Sequence, residues 1–263
     1  MIFIVEFIVE ILLFLKFYCK NWGAFYNDSM RKQWIIGIDE VGRGPLAGPL
    51  TVAAVAATVI SNNQFLKFVP STNSGALPVK RQDVDFQLKQ TSRFKYLKHI
   101  KNSKKLSPLK REKWNKKIRD HYQYAIASVG PGVIDRIGIS KAAKIAVARC
   151  LRKIASRPPA CRSGRLPTSR YSIVLDGGLY APKKYQFQQT LIKGDERHPV
   201  IAAASIVAKV YRDRMMIRLA KKFPLYQFDR HKGYGTKAHQ EAIRRHGLSS
   251  VHRRSFCGNI KTW

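Results

Sequence analysis

The chain has 263 residues, enough for one substantial core, and 45% are hydrophobic, the ordinary share for a globular protein. Lysine and arginine number 49 against 16 acids, and the resulting formal charge of +33 is spread along the chain, which points to a polyanionic partner, nucleic acid ahead of acidic lipid. Cys19, Cys150, Cys161 and Cys257 show no CxxC spacing, which argues against a zinc site or a disulfide framework and fits a reducing cytoplasm.

Residues 2–18 are strongly apolar, yet Glu6, Glu10 and Lys16 interrupt them, and the run falls short of the roughly 20 residues of a comfortable membrane span. It has neither the basic start nor the small-residue cleavage site of a signal peptide. A membrane anchor, a helix packed on the domain and a translated stretch upstream of a start at Met30 all fit. Met30-Arg31-Lys32 leads directly into the first strand-like run, which favours the last, so membrane association is not expected.

Residues 34–38 are apolar and β-branched, residues 42–48 are rich in Gly and Pro, and residues 50–60 are again apolar, which predicts strand, turn, strand. Residues 61–102 are polar and basic without periodicity and read as a long loop or insertion. Ser107 followed by Pro108, with Glu112 in the first turns, opens a helix, and residues 122–129 suit a strand. From 139 to 154 the apolar residues Ile139, Ala142, Ala143, Ala146, Val147, Cys150, Leu151 and Ile154 recur at spacings of three and four, one face of a helix. A Pro/Arg/Ser-rich connection at 156–170 precedes a short buried strand at 171–175. A further strand is expected at 185–192 and a long Ala-rich helix at 201–220. Strands followed by alternating elements indicate an α/β core.

With so few acids in the chain, those in apolar surroundings carry information. Asp39 and Glu40 follow a strand and precede a glycine turn; alone, the pair could merely neutralise Arg43. Adjacent side chains on a regular strand face opposite ways, so a bulge or turn is expected if both reach one site. Asp176 stands in the same context, after Ile173-Val174-Leu175 and before two glycines, and Asp195 follows Ile192-Lys193-Gly194. Carboxylates converging from strand ends need a cation to ionise together, and hard oxygen ligands suit Mg²⁺ or Mn²⁺. Two such ions would serve phosphodiester cleavage, so a basic protein with this site suggests a nuclease or polymerase.

The run Gly37-Ile38-Asp39-Glu40-Val41-Gly42-Arg43-Gly44-Pro45-Leu46-Ala47-Gly48-Pro49 resembles the signature of bacterial ribonuclease HII. Further blocks resemble that family in the same order: Ser103-Lys104-Lys105-Leu106-Ser107, then Leu175-Asp176-Gly177, then Lys193-Gly194-Asp195 with residues 201–209. The last are His231-Lys232-Gly233-Tyr234 and His252-Arg253-Arg254-Ser255-Phe256. The resemblance implies an RNase H-like α/β fold, a mixed central sheet flanked by helices with a small helical C-terminal part. It implies an endonuclease that cuts the RNA strand of RNA–DNA hybrids and nicks 5′ to single ribonucleotides in duplex DNA, by two-metal-ion catalysis with Mn²⁺ or Mg²⁺. Ribonucleotide excision repair and DNA replication are its setting. Carried over, Asp39, Glu40, Asp176 and Asp195 are the catalytic acids and metal ligands. Gly42, Arg43 and Gly44 meet the ribose 2′-OH and adjoining phosphate, and Tyr234 packs against the neighbouring sugar.

Lys104 and Lys105 precede a helix start and suit phosphate binding, or are simply solvated lysines. Ser205 and Lys209, one turn apart on the long helix, face the substrate or are a packed small residue and an exposed lysine. Asp213, between two arginines, reads as a structural ion pair. One departure is Asn102, where the family has aspartate, from which altered loop anchoring is expected.

The expected organisation is an apolar extension (1–29) outside the native protein, a catalytic domain (30–222) with basic insertions near 61–102 and 156–170, and a substrate-binding segment (223–263). The protein is expected to be cytoplasmic and monomeric, without an obligate protein partner. Ribonuclease HIII is the rival enzyme class, but only about 34 residues precede the core, too few for its N-terminal domain. A non-catalytic nucleic-acid-binding protein would lack one of the four acids, and none is missing.

Overall fold

The structure, a computed structural model, describes residues 32–60, 96–97, 99–100, 102–156 and 171–260. The 1–29 extension, nearly all of both basic insertions, Cys19 and Cys161 lie outside the described residues. Five strands, β1 (Lys32–Val41), β2 (Leu50–Ile60), β3 (Gln123–Val129), β4 (Tyr171–Asp176) and β5 (Gln188–Leu191), form one mixed sheet in the order β3-β2-β1-β4-β5. β2 runs antiparallel to β1 and β3, whereas β4 runs parallel to β1 and β5. The parallel β1–β4 pairing, with Ile38 opposite Leu175, brings both strands to their acidic ends at one edge of the sheet.

Period-two alternation splits β1 between two cores. Trp34, Ile36 and Ile38 face α3 (Ile139–Ala155), whose Ala142, Ala143, Ala146, Val147, Cys150, Leu151 and Ile154 are all buried, the face its spacing predicted. Ile35 packs on the other side with α5 (Pro199–Lys222), which is preceded by the one-turn α4 (Gly194–Arg197), and with Ile118 of α1 (Pro108–His121). Residues 200–208 of α5 are nearly all buried, because the sheet covers one side and α1 with the 103–106 turn another. A Cβ at Gly37 would lie 2.3 Å from the Val200 carbonyl carbon, so this glycine is what lets α5 approach β1. α1 starts as expected, with the Ser107 hydroxyl accepting from the Lys110 N–H and Pro108 in the first turn.

Three expectations shift. The first strand extends past residue 38 to Val41, and its register with β2 is continuous through Asp39↔Ala53 and Glu40↔Val52, so the expected bulge at the acid pair is absent. The last strand shrinks to 188–191, since Tyr185 closes a turn onto the Pro182 carbonyl. α2 (Pro131–Ile137) was not anticipated, although Pro131 after Gly130 is a helix-opening pair.

The C-terminal part consists of α6 (Phe228–His231) and α7 (Lys237–His246), joined to α5 through a core of Met216, Tyr226, Phe228 and Ile243. Thr236 caps α7 and Gly247, at φ 72°, ends it. Inside this part the His239 and His252 rings share a 3.1 Å Nε2···Nε2 hydrogen bond. Because Ser249 N–H donates to His252 Nδ1 and His239 Nδ1 contacts the Tyr234 carbonyl, the proton on that bond belongs to His252. Among the described residues no helix is long and apolar enough to cross a membrane.

Candidate active site

Asp39 is almost fully buried, with 4% of its surface exposed. Its Oδ1 accepts the Glu40 N–H at 2.7 Å, and the nearby Ser205 hydroxyl, which bonds Ser103 Oγ at 2.8 Å, favours its ionised form. Burial, and then the neighbouring charges of Glu40 and Asp176, hold the Asp39 carboxyl well above the usual carboxylate range. Glu40, on the opposite face of β1, receives Arg43 Nη1 on Oε1 at 3.3 Å, while its Oε2 is buried without a partner among the described residues. Burial raises the Glu40 carboxyl too, against the pull of Arg43.

Asp176 ends β4 and accepts the Gly194 N–H on Oδ1 at 2.7 Å, which ties β4 to the start of α4. Asp195 follows on α4, after Lys193 in the left-handed region at φ 54°. Burial and Asp176 raise the Asp195 carboxyl, and Lys104 opposes them. Asp176 therefore lies within electrostatic reach of all three other acids. Among the described residues no three His, Cys, Asp or Glu side chains are arranged to enclose a metal ion. Asp39 and Asp176 each accept a backbone N–H, Glu40 accepts from Arg43, and regular pairing turns Asp39 and Glu40 to opposite faces. The donor set still suits a divalent ion, being all carboxylate, mutually repelling and provided with the partnerless Glu40 Oε2.

Beside the acids, the 42–44 turn uses its glycines differently. Gly42 adopts φ 90°, and a Cβ there would lie 2.3 Å from Arg212 Nε; a Cβ at Gly44 would meet nothing within 4 Å. Packing inside the protein explains the first glycine and leaves the second free for close approach by a ligand. Arg43 spans from Glu40 towards Gly178, where a Cβ would lie 3.5 Å from its Nη1. Tyr234 is 42% exposed, with the Arg212 guanidinium 5.8 Å from its ring centroid.

The lysines and Ser205 divide. Lys104 is exposed and acts on Asp195, whereas Lys105 reaches Glu196 at 3.6 Å. Ser205 is buried against Asp39 and Ser103, and Lys209 pairs with Asp213 at 2.9 Å, so of the alternatives left open the packed serine fits, while Lys209 is neither free nor fully exposed. Asp213 also faces Arg111 at 3.9 Å, so it does form ion pairs, but with Lys209 and Arg111 and not with the arginines that flank it in sequence. Asn102 anchors its loop in the way its departure from the family suggested, whereas Arg111 was passed over by sequence reasoning. Asn102 takes the Lys104 N–H on Oδ1 and gives its amide to Glu196 Oε1; an aspartate there would repel Glu196, which explains the substitution. Arg111 holds the Ser103 and Leu106 carbonyls. Only the i+2 side-chain cap of Asn102 has a local signature.

Comparison with known proteins identifies the family and the fold. The family profile for ribonuclease HII matches residues 36–69 and 87–259. The ribonuclease HII of Caldicellulosiruptor bescii is 34% identical over 235 residues, covering 89% of this chain and 90% of that protein. In fold the chain is similar to the ribonuclease HII of Archaeoglobus fulgidus, solved in complex with PCNA, at a TM-score of 0.53 and 23% identity, covering 86% of this chain and 94% of the other. It is also similar to Bst-RNase HIII, solved with Mn²⁺, at a TM-score of 0.51 and 18% identity, over 84% of this chain and 65% of that one.

Proposed function

The chain belongs to the ribonuclease HII family, and from that premise we propose that it is an endonuclease that hydrolyses the RNA strand of RNA–DNA hybrids and nicks duplex DNA 5′ to single embedded ribonucleotides. The observation that carries this reading is the gathering of Asp39, Glu40 and Asp176 at the shared end of β1 and β4, with Asp195 alongside and Glu40 Oε2 buried and unpartnered.

Members of the family use divalent metal ions, and here Asp39, Glu40, Asp176 and Asp195 would hold Mn²⁺ or Mg²⁺. When bound, such ions lower the pKa of a coordinated water and stabilise the leaving oxygen of a phosphodiester. The remaining work belongs to the chain itself. Ser205, backed by Ser103, keeps Asp39 oriented. The 42–44 turn reads the ribose 2′-OH, with Gly44 leaving room for it and Arg43 adding charge for the adjoining phosphate. Lys104, beside Asp195, draws the scissile strand towards the acids, and Tyr234 packs on the neighbouring sugar. Residues 30–222 form the catalytic unit and 223–263 the substrate-binding segment of a monomeric, cytoplasmic enzyme without an obligate protein partner.

The test is direct. Purified protein with Mn²⁺ or Mg²⁺ should nick a DNA duplex carrying one ribonucleotide on the 5′ side of that residue. Folded protein that binds the duplex and leaves it intact would overturn the proposal.

A further inference from the structure

Arg212 and Arg253 are the two largest side chains that are fully buried, and neither pairs with a carboxylate among the described residues. Burying a guanidinium is costly when Asp213 and Asp135 act on the pair only from beyond ion-pair distance, so the carbonyls that take up its N–H groups matter. Arg253 donates Nη2 to the Gly42 carbonyl at 2.6 Å, Nη1 to the Arg43 carbonyl at 2.9 Å and Nε to the Gly48 carbonyl at 3.0 Å. Arg212 donates to the carbonyls of Pro49, Ala47 and Lys232 at 3.0, 3.2 and 3.0 Å. Burial lowers the Arg253 guanidinium to about 10, which leaves it charged at neutral pH.

Five carbonyls of the 42–49 turn thus point at two forks supplied by α5 and the C-terminal part. In a trans peptide the C=O and N–H of one unit point in opposite directions. Drawing the Gly42 and Arg43 carbonyls inward therefore turns the N–H groups of Arg43 and Gly44 away from Arg253. The backbone agrees: Arg253 N–H returns to the Leu46 carbonyl at 2.7 Å, and the Gly233 carbonyl accepts from Leu46 and Ala47. Lysine could keep the charge but not the planar three-point fork.

We propose that Arg253, backed by Arg212, is a positioning residue for ribose recognition: it fixes the peptide planes of the 42–44 turn so that their N–H groups meet the 2′-OH. This rests on the function proposed above. The selectivity of the turn is set from behind, by the segment that also presents Tyr234.

The test compares wild type, R253K and R212K with Mn²⁺ on two duplexes that differ in one sugar. KM is measured for the duplex with a single ribonucleotide, and the all-DNA duplex serves as competitive inhibitor. Positioning predicts that KM rises in R253K while the inhibition constant of all-DNA is unchanged, so that the ratio of inhibition constant to KM falls by about tenfold, the scale of one well-placed hydrogen bond. R212K should move the ratio in the same direction, and it supplies the readout if R253K does not fold by circular dichroism. A lower kcat with the ratio unchanged in the folded variants would mean a purely structural role and would overturn the inference. Wild type that fails to cleave defeats the parent function; cleaving wild type with unmoved variants defeats this inference alone.

Discussion

A single methyl group separates the two glycines of the 42–44 turn. In G42A it would fall on Arg212 at a backbone φ of 90°, so we expect a loss of about 2 kcal/mol or more in urea unfolding. In G44A it would meet nothing in the protein, so the unfolding midpoint should hold while cleavage of the ribonucleotide duplex drops sharply. Equal stability losses in both variants would contradict this division. Asp39 gives a complementary case: D39N should abolish cleavage yet keep duplex binding, measured by anisotropy. In metal-free buffer it should melt no lower than wild type, because it removes a carboxyl whose ionisation burial, Glu40 and Asp176 oppose, while the amide oxygen still accepts the Glu40 N–H. At this scale the acids were readable from their apolar flanks and glycine turns. Their mutual geometry was not, since the regular β1 register sets Asp39 and Glu40 on opposite faces, and only the neighbouring β4 brings Asp176 within reach of both.

Among elements, the contact between β1 and α5 positions everything else, because β1 carries Asp39 and α5 carries Ser205 and Arg212. It depends on Gly37, where a Cβ would lie 2.3 Å from the Val200 backbone. G37A should force α5 outward, lowering stability by about 1–3 kcal/mol and cleavage with it, as read by urea titration and steady-state kinetics. Unchanged stability would show that the helix is not held so closely. α3 was legible because it lies on one face of the sheet and keeps a one-sided apolar stripe. The buried part of α5 lacks such a stripe, being covered on several sides, and was recognised by its alanine-rich composition. α7 has a capping threonine and a terminating glycine, but its short, mostly polar sequence did not announce it.

For the whole molecule, protonation couples the two ends of the fold. Burial lowers His198, His239 and His252 to about 4, against roughly 6.5 unfolded. Below pH 6.5 the unfolded chain binds their protons first, so the stability they contribute is complete above that value and is lost as pH falls towards about 4. Asp39 works in the opposite sense: its raised carboxyl takes up a proton in the folded state first, which recovers stability as pH falls. Urea unfolding in EDTA should therefore show a steeper decline from about pH 7 to 5 in D39N than in wild type. Parallel declines would mean that Asp39 is not desolvated as described. The sequence by itself determined the family resemblance, the acids, the strand order along the chain and the basic surface, because these reside in local composition and ordered motifs. Only the tertiary structure decided that α5 and the C-terminal part grip the 42–49 turn through Arg212 and Arg253. Those contacts join residues more than 160 positions apart, and in a chain of charge +33 nothing local distinguishes a buried arginine from a solvated one.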